Sequence, residues 1–225
     1  MQHTLTSIAT VHSPYQQKFG VARQPGLVPA AEVCIELAAE FNADSVRGLE
    51  SFDYVWIHFI FHGVLDEGWS PLVRPPRLGG KQKMGVFATR SPHRPNHLGL
   101  SLLKLERIEC GKTVKLYCSG ADLLDGTPVV DIKPYIPFVE AKPQAAGGFA
   151  LSAPDLLQVT WRPGTDAGLS ENARELIAQS IAQDPRPAYQ NIPERVYVMS
   201  VPGYEVKFQI HGKAATIIAV EPQAV

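Results

Sequence analysis

The sequence predicts a mainly β protein: an all-β barrel or sandwich over its first two thirds, followed by a small α+β domain. Three observations carry this reading. Short runs in which apolar side chains alternate with polar ones recur as far as Ile132, most of them bounded by turn signals, as strands with one buried face require. Residues 139–148 (Val-Glu-Ala-Lys-Pro-Gln-Ala-Ala-Gly-Gly) then read as a linker. Beyond it come a capped helical stripe and further strand-like runs.

The first run, Leu5 to Val11, is rich in Thr, Ile and Val and stops at Ser13-Pro14. From Glu32 to Leu37, Val33, Ile35 and Leu37 alternate with Cys34 and Glu36. Ala43 to Leu49 carries the one helical pattern in this part of the chain. From Tyr54 to His62 the odd positions Val55, Ile57, Phe59 and Phe61 are all apolar, while Trp56, His58, Ile60 and His62 make a mixed second face with two imidazoles. Met84 to Thr89 and Leu100 to Ile108 read as strands flanking a Pro-rich turn. Thr113 to Ser119 and Thr127 to Ile132 flank Asp125-Gly126, a strong turn dipeptide. In the second domain Ser170 caps a helix over Glu171 to Gln183, with Pro185 just past its end and Ala173, Leu176, Ile177 and Ile181 as its apolar stripe. Arg195 to Val201 and Glu205 to Ile210, joined by Pro202-Gly203, and then Thr216 to Val220, complete it as strands. The expected division is residues 1–142 and 149–225.

Composition bounds the function. The chain has 225 residues, 45% hydrophobic and 19% charged, as a soluble globular protein does. No apolar stretch approaches the roughly 20 residues of a membrane span. Met1-Gln2-His3-Thr4-Leu5 lacks the basic start and apolar run of a signal peptide, so a cytoplasmic location is expected. Cys34, Cys110 and Cys118 have neither the even count of a disulfide framework nor metal-ligand spacing. The formal net charge is only −1, but no Asp or Glu lies between Glu67 and Glu106, where Arg74, Arg77, Lys81, Lys83, Arg90, Arg94 and Lys104 all fall. Gathered cations can present a local positive field to nucleic acid, or simply be a solvated loop.

Common catalytic signatures are missing. There is no G-x-G-x-x-G after a strand and no Walker A loop, which argues against a doubly wound methyltransferase or dehydrogenase, and there is no G-x-S-x-G nucleophile elbow. His58/His62 and His93/His97 have H-x-x-x-H spacing, but the first pair lies in a strand pattern, roughly 13 Å apart at the usual rise. The second sits in a proline-broken loop, so no metal site is expected.

The stretch Gly85-Val86-Phe87-Ala88-Thr89-Arg90-Ser91-Pro92-His93-Arg94-Pro95-Asn96-His97-Leu98-Gly99-Leu100-Ser101 resembles the signature of the TrmO/TsaA family, with His97 where that pattern commonly has proline. Ser13-Pro14-Tyr15, residues 19–26, residues 122–128 and Asp131-Ile132-Lys133-Pro134-Tyr135 are similar to flanking family segments, and Asp184-Pro185-Arg186-Pro187-Ala188-Tyr189 to the longer bacterial members. The resemblance covers nearly the whole chain. It implies a single-sheet β-barrel domain with a small C-terminal α+β domain that aids tRNA recognition, working as a homodimer. It also implies binding of S-adenosylmethionine without a Rossmann domain, and methylation of the exocyclic nitrogen of threonylcarbamoyladenosine directly 3′ of the anticodon. The cofactor-lining segments implied are Arg23-Gln24-Pro25, Phe61-His62, Arg90, Leu100 and Asp125-Gly126-Thr127-Pro128.

Residue chemistry adds to this. A sulfonium already activates its methyl carbon, so the protein must chiefly align donor and acceptor. Arg90 and Arg94 can fork onto a carboxylate, and Asn96 can hydrogen-bond an amide or a base edge, which makes Arg90 and Asn96 the catalytic candidates. Lys81, Lys83, Arg94 and Arg186 are the candidates for contact with RNA. Taken without the resemblance, Arg-x-x-x-Arg is a surface loop, His62 a packed histidine and Asp125-Gly126 a turn. A non-catalytic RNA-binding module and a metal-dependent hydrolase are the competing functions. S-adenosylmethionine binding excludes the first, and metal analysis tests the second.

Overall fold

A computed structural model describes residues 3–187, 190, 192 and 194–223. Ala188 and Tyr189 of the C-terminal family-like segment lie outside the described residues. In chain order the first part contains strands β1 (Ala9–His12), β2 (Val33–Leu37), β3 (Tyr54–Ile60), β4 (Leu72–Val73), β5 (Met84–Gly85), β6 (Leu98–Cys110), β7 (Val114–Ser119) and β8 (Pro128–Pro134), then a short helix α1 (Pro137–Glu140). Six of these close into a barrel in the order β1-β2-β7-β6-β3-β8, every neighbour antiparallel. Closure leaves no free strand edge. Strand alternation decides what fills the barrel: Val33 and Ile35 of β2, Val55, Ile57 and Phe59 of β3, Leu103 of β6, Leu116 and Cys118 of β7 and Val129 of β8 are all buried.

The long β6 serves two neighbours. Its first half pairs with β3 and its second with β7, and the register shifts between Leu105 and Arg107 where it bends from one to the other. Two inward positions at its start are not apolar. Gly99 lies under the Phe59 ring, and a Cβ there would come within 2.2 Å of Phe59 Cζ. Ser101 is 1% exposed and bonded to Asp122.

The second unit contains β9 (Gln158–Trp161), helix α2 (Glu171–Ala182), β10 (Val196–Val201), β11 (Tyr204–His211) and β12 (Ala214–Pro222). Its sheet runs β10-β11-β12-β9, with β9 parallel to β12. Ser170 caps α2 by accepting from the Ala173 amide, and Leu176, Ile177, Ser180 and Ile181 are its buried face. This core also takes Tyr15, Ala22, Val28, Ala30 and Ala31 from the segment between β1 and β2. That segment, residues 13–31, is a strap: it leaves the barrel, packs on the C-terminal unit and returns.

Five expected elements differ. Leu5 to Val11 is a strand only from Ala9, and β3 ends at Ile60, so His62 opens a 3-10 turn instead of ending a strand. Ala43 to Leu49 contains the 3-10 turn Ala43–Val46, and a second spans Leu49–Ser51. Met84 to Thr89 is a strand for two residues and then a 3-10 turn over Val86–Ala88, closed by Thr89 Oγ1 donating to the Val86 carbonyl at 2.8 Å. Among the described residues its one partner, β4, is itself two residues long, so there is no ladder to extend. Asp125-Gly126 turns the chain, but β7 and β8 are not neighbours; the turn is stitched to β1 and the strap by Asp125 N to Tyr15 O and Gly126 N to Val11 O.

Candidate active site

One end of the barrel opens into a cleft of about 780 Å³. Its wall comprises the end of β3 with Phe61 and His62, the start of β6, the 122–127 turn, the strap at residues 21–24 and the Pro-rich loop from Phe87 to Asn96. Segments distant in sequence meet there because the β3–β6 ladder ends at Ile60 and Leu98, and every connection at that end must turn over the barrel mouth.

Most of the residues expected from sequence come together here. Arg23, Gln24, Phe61, His62, Arg90, Arg94, Asn96, Leu100 and Thr127 all line the cleft. Arg90 Nη1 donates to Gln24 Oε1 at 2.7 Å, tying the Pro-rich loop to the strap. Arg94 Nη1 donates to the Thr89 carbonyl at 3.2 Å and so braces its own loop. Phe61 packs edge-on against Phe59, ring centroids 4.9 Å apart. Thr127 Oγ1 donates to the Leu124 carbonyl at 2.7 Å and lies 3.4 Å from His62 Nδ1.

The backbone at Asn96 and His97 is left-handed, with φ of 65° and 49°. Asn adopts this region more readily than most residues, and proline cannot adopt it at all. Proline is therefore barred from the conformation that His97 holds here. Its Nδ1 lies 2.9 Å from the Pro92 carbonyl, and its own carbonyl accepts from the Phe61 amide, locking the loop onto the end of β3.

Other expected residues lie apart from the cleft. Pro25, Asp125, Gly126 and Pro128 do not line it. Asp125 Oδ1 accepts from the Ser13 amide at 2.8 Å, and Pro128 faces Thr10 in the β1–β8 pair. Lys81 and Lys83 are exposed on the β4–β5 connection. Arg186 closes its guanidinium on Asp184 with two bonds of 2.7 Å and is 11% exposed, so little of that cation is offered to solvent.

The structure adds three residues that sequence reasoning did not assign to the methyl-transfer site. Asp122 is half-buried in the cleft and accepts from Ser101 Oγ at 2.6 Å. Burial pushes its carboxyl up to about 6, against the Ser101 hydroxyl and the Arg90 charge, which both pull it down. His58, also in the cleft, has an Nε2 that is buried with no hydrogen-bond partner, and burial lowers its proton affinity. A signal did exist for Ser101: in the inward row of β6, Ser101 is the polar position before Leu103 and Leu105, and an inward hydroxyl needs a partner. Among the described residues no three His, Cys, Asp or Glu side chains come close enough to share a metal ion.

A closed barrel whose end loops gather arginines, aromatic rings and a half-buried carboxyl around one cleft offers a small-molecule site built without a doubly wound sheet. Residues 10–141 match the family model described as the tRNA-methyltransferase O N-terminal domain, and residues 154–223 match the TrmO C-terminal domain. The chain therefore belongs to the TrmO family, and it is a methyltransferase. It is 44% identical over 227 residues to the tRNA (adenine(37)-N6)-methyltransferase of Escherichia coli K12, covering 96% of this chain and 97% of that one. A protein of the same name from Eikenella corrodens is 64% identical over 171 residues, 76% of this chain and 97% of the relative. The crystal structure of TrmO from Pseudomonas aeruginosa superposes with a TM-score of 0.83 at 34% identity, over 98% of this chain and 99% of that one.

Proposed function

We propose that this chain is an S-adenosylmethionine-dependent tRNA methyltransferase that methylates the exocyclic nitrogen of threonylcarbamoyladenosine at position 37, as the relatives' names indicate for the base and position. The observation that carries the reading is the convergence of Arg23, Gln24, Phe61, Arg90, Leu100 and Thr127 on one cleft. Its volume of about 780 Å³ lies within the range of small-molecule sites, about 300–1,000 Å³.

The residues present fit the donor. Phe61 and Leu100 offer apolar surface for its adenine and carbon chain. Arg23 and Arg90 offer guanidiniums for its carboxylate, and the unpartnered His58 Nε2 is a polar atom that a ligand can satisfy. When bound, the donor supplies a methyl carbon activated by positively charged sulfur. The chain's own work is alignment: the Arg90–Gln24 bond sets the width of the cleft between strap and loop, and Asn96, held in its left-handed turn, presents an amide at the rim. Arg94, half-buried in the same loop, is the cation available to a threonyl carboxylate, and Lys81 and Lys83 extend the positive surface along which a tRNA backbone runs.

Assembly as a homodimer belongs to the same proposal. Among the described residues no helix is long and apolar enough to cross a membrane, and a cytoplasmic site of action is likewise part of that proposal. The division into residues 1–142 as the catalytic domain and 149–225 as an aid to tRNA recognition belongs to the same proposal. Mass spectrometry of anticodon-loop nucleosides from cells with and without the gene tests it. The methylated threonylcarbamoyladenosine should vanish in the deletion and return on complementation; its persistence without the gene contradicts the reading.

A further inference from the structure

Methylating an exocyclic N–H leaves a proton to be disposed of, and nothing in the sequence motif does so. The nitrogen of a carbamoylated adenine is a poor nucleophile because its lone pair is delocalised, and it becomes strongly acidic as the new bond forms. A group that takes the proton in the transition state is therefore worth a large factor.

Among the described residues the cleft is lined by one carboxylate. Lys18 and Arg23 on the strap, His58 on β3, His62 beyond it, and Arg90 and Arg94 in the Pro-rich loop are the other charged or titratable side chains around it, so a lone acid lies among cations and imidazoles. That acid is Asp122, and it is built in. Ser101, 1% exposed on the inner face of β6, donates to its Oδ1 at 2.6 Å and fixes the plane of the carboxyl. Among the described residues no other side chain donates to it, which leaves Oδ2 free for a ligand.

We propose that Asp122 is the general base of the methyl transfer. Its carboxylate takes the proton of the exocyclic N–H while the nitrogen lone pair forms the bond to the methyl carbon. The electron pair of the breaking carbon–sulfur bond passes to sulfur, which departs as a neutral thioether. The proton then leaves Asp122 for solvent. This step rests on the cleft being the methyl-transfer site.

Burial makes the carboxyl a stronger base than an ordinary aspartate while leaving it ionised at neutral pH, the balance that proton transfer near pH 7 favours. Of the charges around it, that of Arg90 is the one that reaches it and limits the rise. His58 is the competing base. It faces Leu100 across the β3–β6 ladder, on the opposite face of the sheet from Ser101.

The test uses the full chain with S-adenosylmethionine and tRNA carrying threonylcarbamoyladenosine, comparing single-turnover rates from acid to neutral pH for wild type, Asp122→Asn, Ser101→Ala and His58→Gln. Affinities for donor and tRNA are measured by calorimetry on the same proteins. Asp122→Asn should lower the rate by about 10²–10⁴-fold and abolish the acid limb, with both affinities retained. Ser101→Ala should move the acid limb to higher pH, because it removes the donor that favours the carboxylate. Infrared titration of the free protein gives a readout without turnover: a carboxyl band with a midpoint near 6 that is absent from Asp122→Asn. Three results overturn the proposal: a near-normal rate for Asp122→Asn, a loss that tracks donor affinity alone, or an acid limb that disappears in His58→Gln and persists in Asp122→Asn. An inactive wild type overturns the functional reading as well, whereas an active wild type with an active Asp122→Asn overturns this proposal alone.

Discussion

At the residue scale, the cleft depends on groups whose roles can be separated by substitution. Arg90 is exposed and, among the described residues, its side chain bonds to Gln24 alone, so it contributes geometry to the cleft and little to the core. Arg90→Lys keeps the charge and loses the fork; turnover is expected to fall by about 10²-fold, with the melting temperature unchanged. Loss of activity in step with stability would make Arg90 structural instead. Asp122 carries the opposite trade. Its carboxyl is raised from 3.8 to about 6 by burial, so between those values the folded protein holds a proton that the unfolded chain has released. Its contribution to stability is therefore greatest below pH 4 and declines as pH rises to 6. Asp122→Asn removes that decline and should be more stable than wild type at pH 7 by up to about 3 kcal/mol, with the difference vanishing near pH 4. Urea denaturation at the two pH values measures it, and an equal difference at both would dissociate the effect from ionisation. Arg90 and Asn96 were legible because they stand in one contiguous motif. Asp122 was not, because its chemistry comes from burial and from the Ser101 hydroxyl on β6.

At the scale of elements, the strands that read clearly are those with unbroken alternation and a long partner. β2, β3 and β7 lie within a residue or two of their sequence limits because each has a fully apolar inward row. The Pro-rich loop misled at Val86–Ala88, since an apolar run becomes a strand only where a neighbour offers a ladder. β9 was missed for the same reason in reverse. Its four residues are too few to show a period, and its parallel partner β12 lies at the far end of the chain. The start of β6 is where element and site meet. Gly99 lets the Phe59 ring lie against the backbone, and Phe59 in turn sets Phe61 at the cleft wall. Gly99→Ala is expected to lower stability by about 1–3 kcal/mol through overpacking and to weaken donor binding with it. Wild-type stability in that variant would show that the ring has room to move.

At the scale of the whole molecule, the two cores share the strap. Residues 15–31 carry Tyr15 and Val28 into the C-terminal core, while Lys18, Arg23 and Gln24 of the same segment line the cleft. The strap is pinned by Ala30 N to Gln179 Oε1 at 2.9 Å, Gln183 Nε2 to the Leu27 carbonyl at 3.0 Å and Arg23 Nη2 to the Asp184 carbonyl at 3.0 Å. The C-terminal unit thus buttresses one wall of the cleft, a role that no linear reading of the linker could reveal. The strand order of the barrel was equally hidden, because β2–β7 and β8–β1 pairings join parts of the chain with no local signal between them. The segregation of charge, in contrast, was plain from sequence, and the structure gathers Arg90 and Arg94 of that acid-free stretch at the cleft.

The most direct test of the central claim is methyl transfer by the purified protein from labelled S-adenosylmethionine to two otherwise identical tRNAs, one carrying threonylcarbamoyladenosine and one lacking it. Label should appear on the exocyclic nitrogen of the modified nucleoside, and the unmodified tRNA should remain inert. Equal labelling of both, or labelling of neither, would contradict the account.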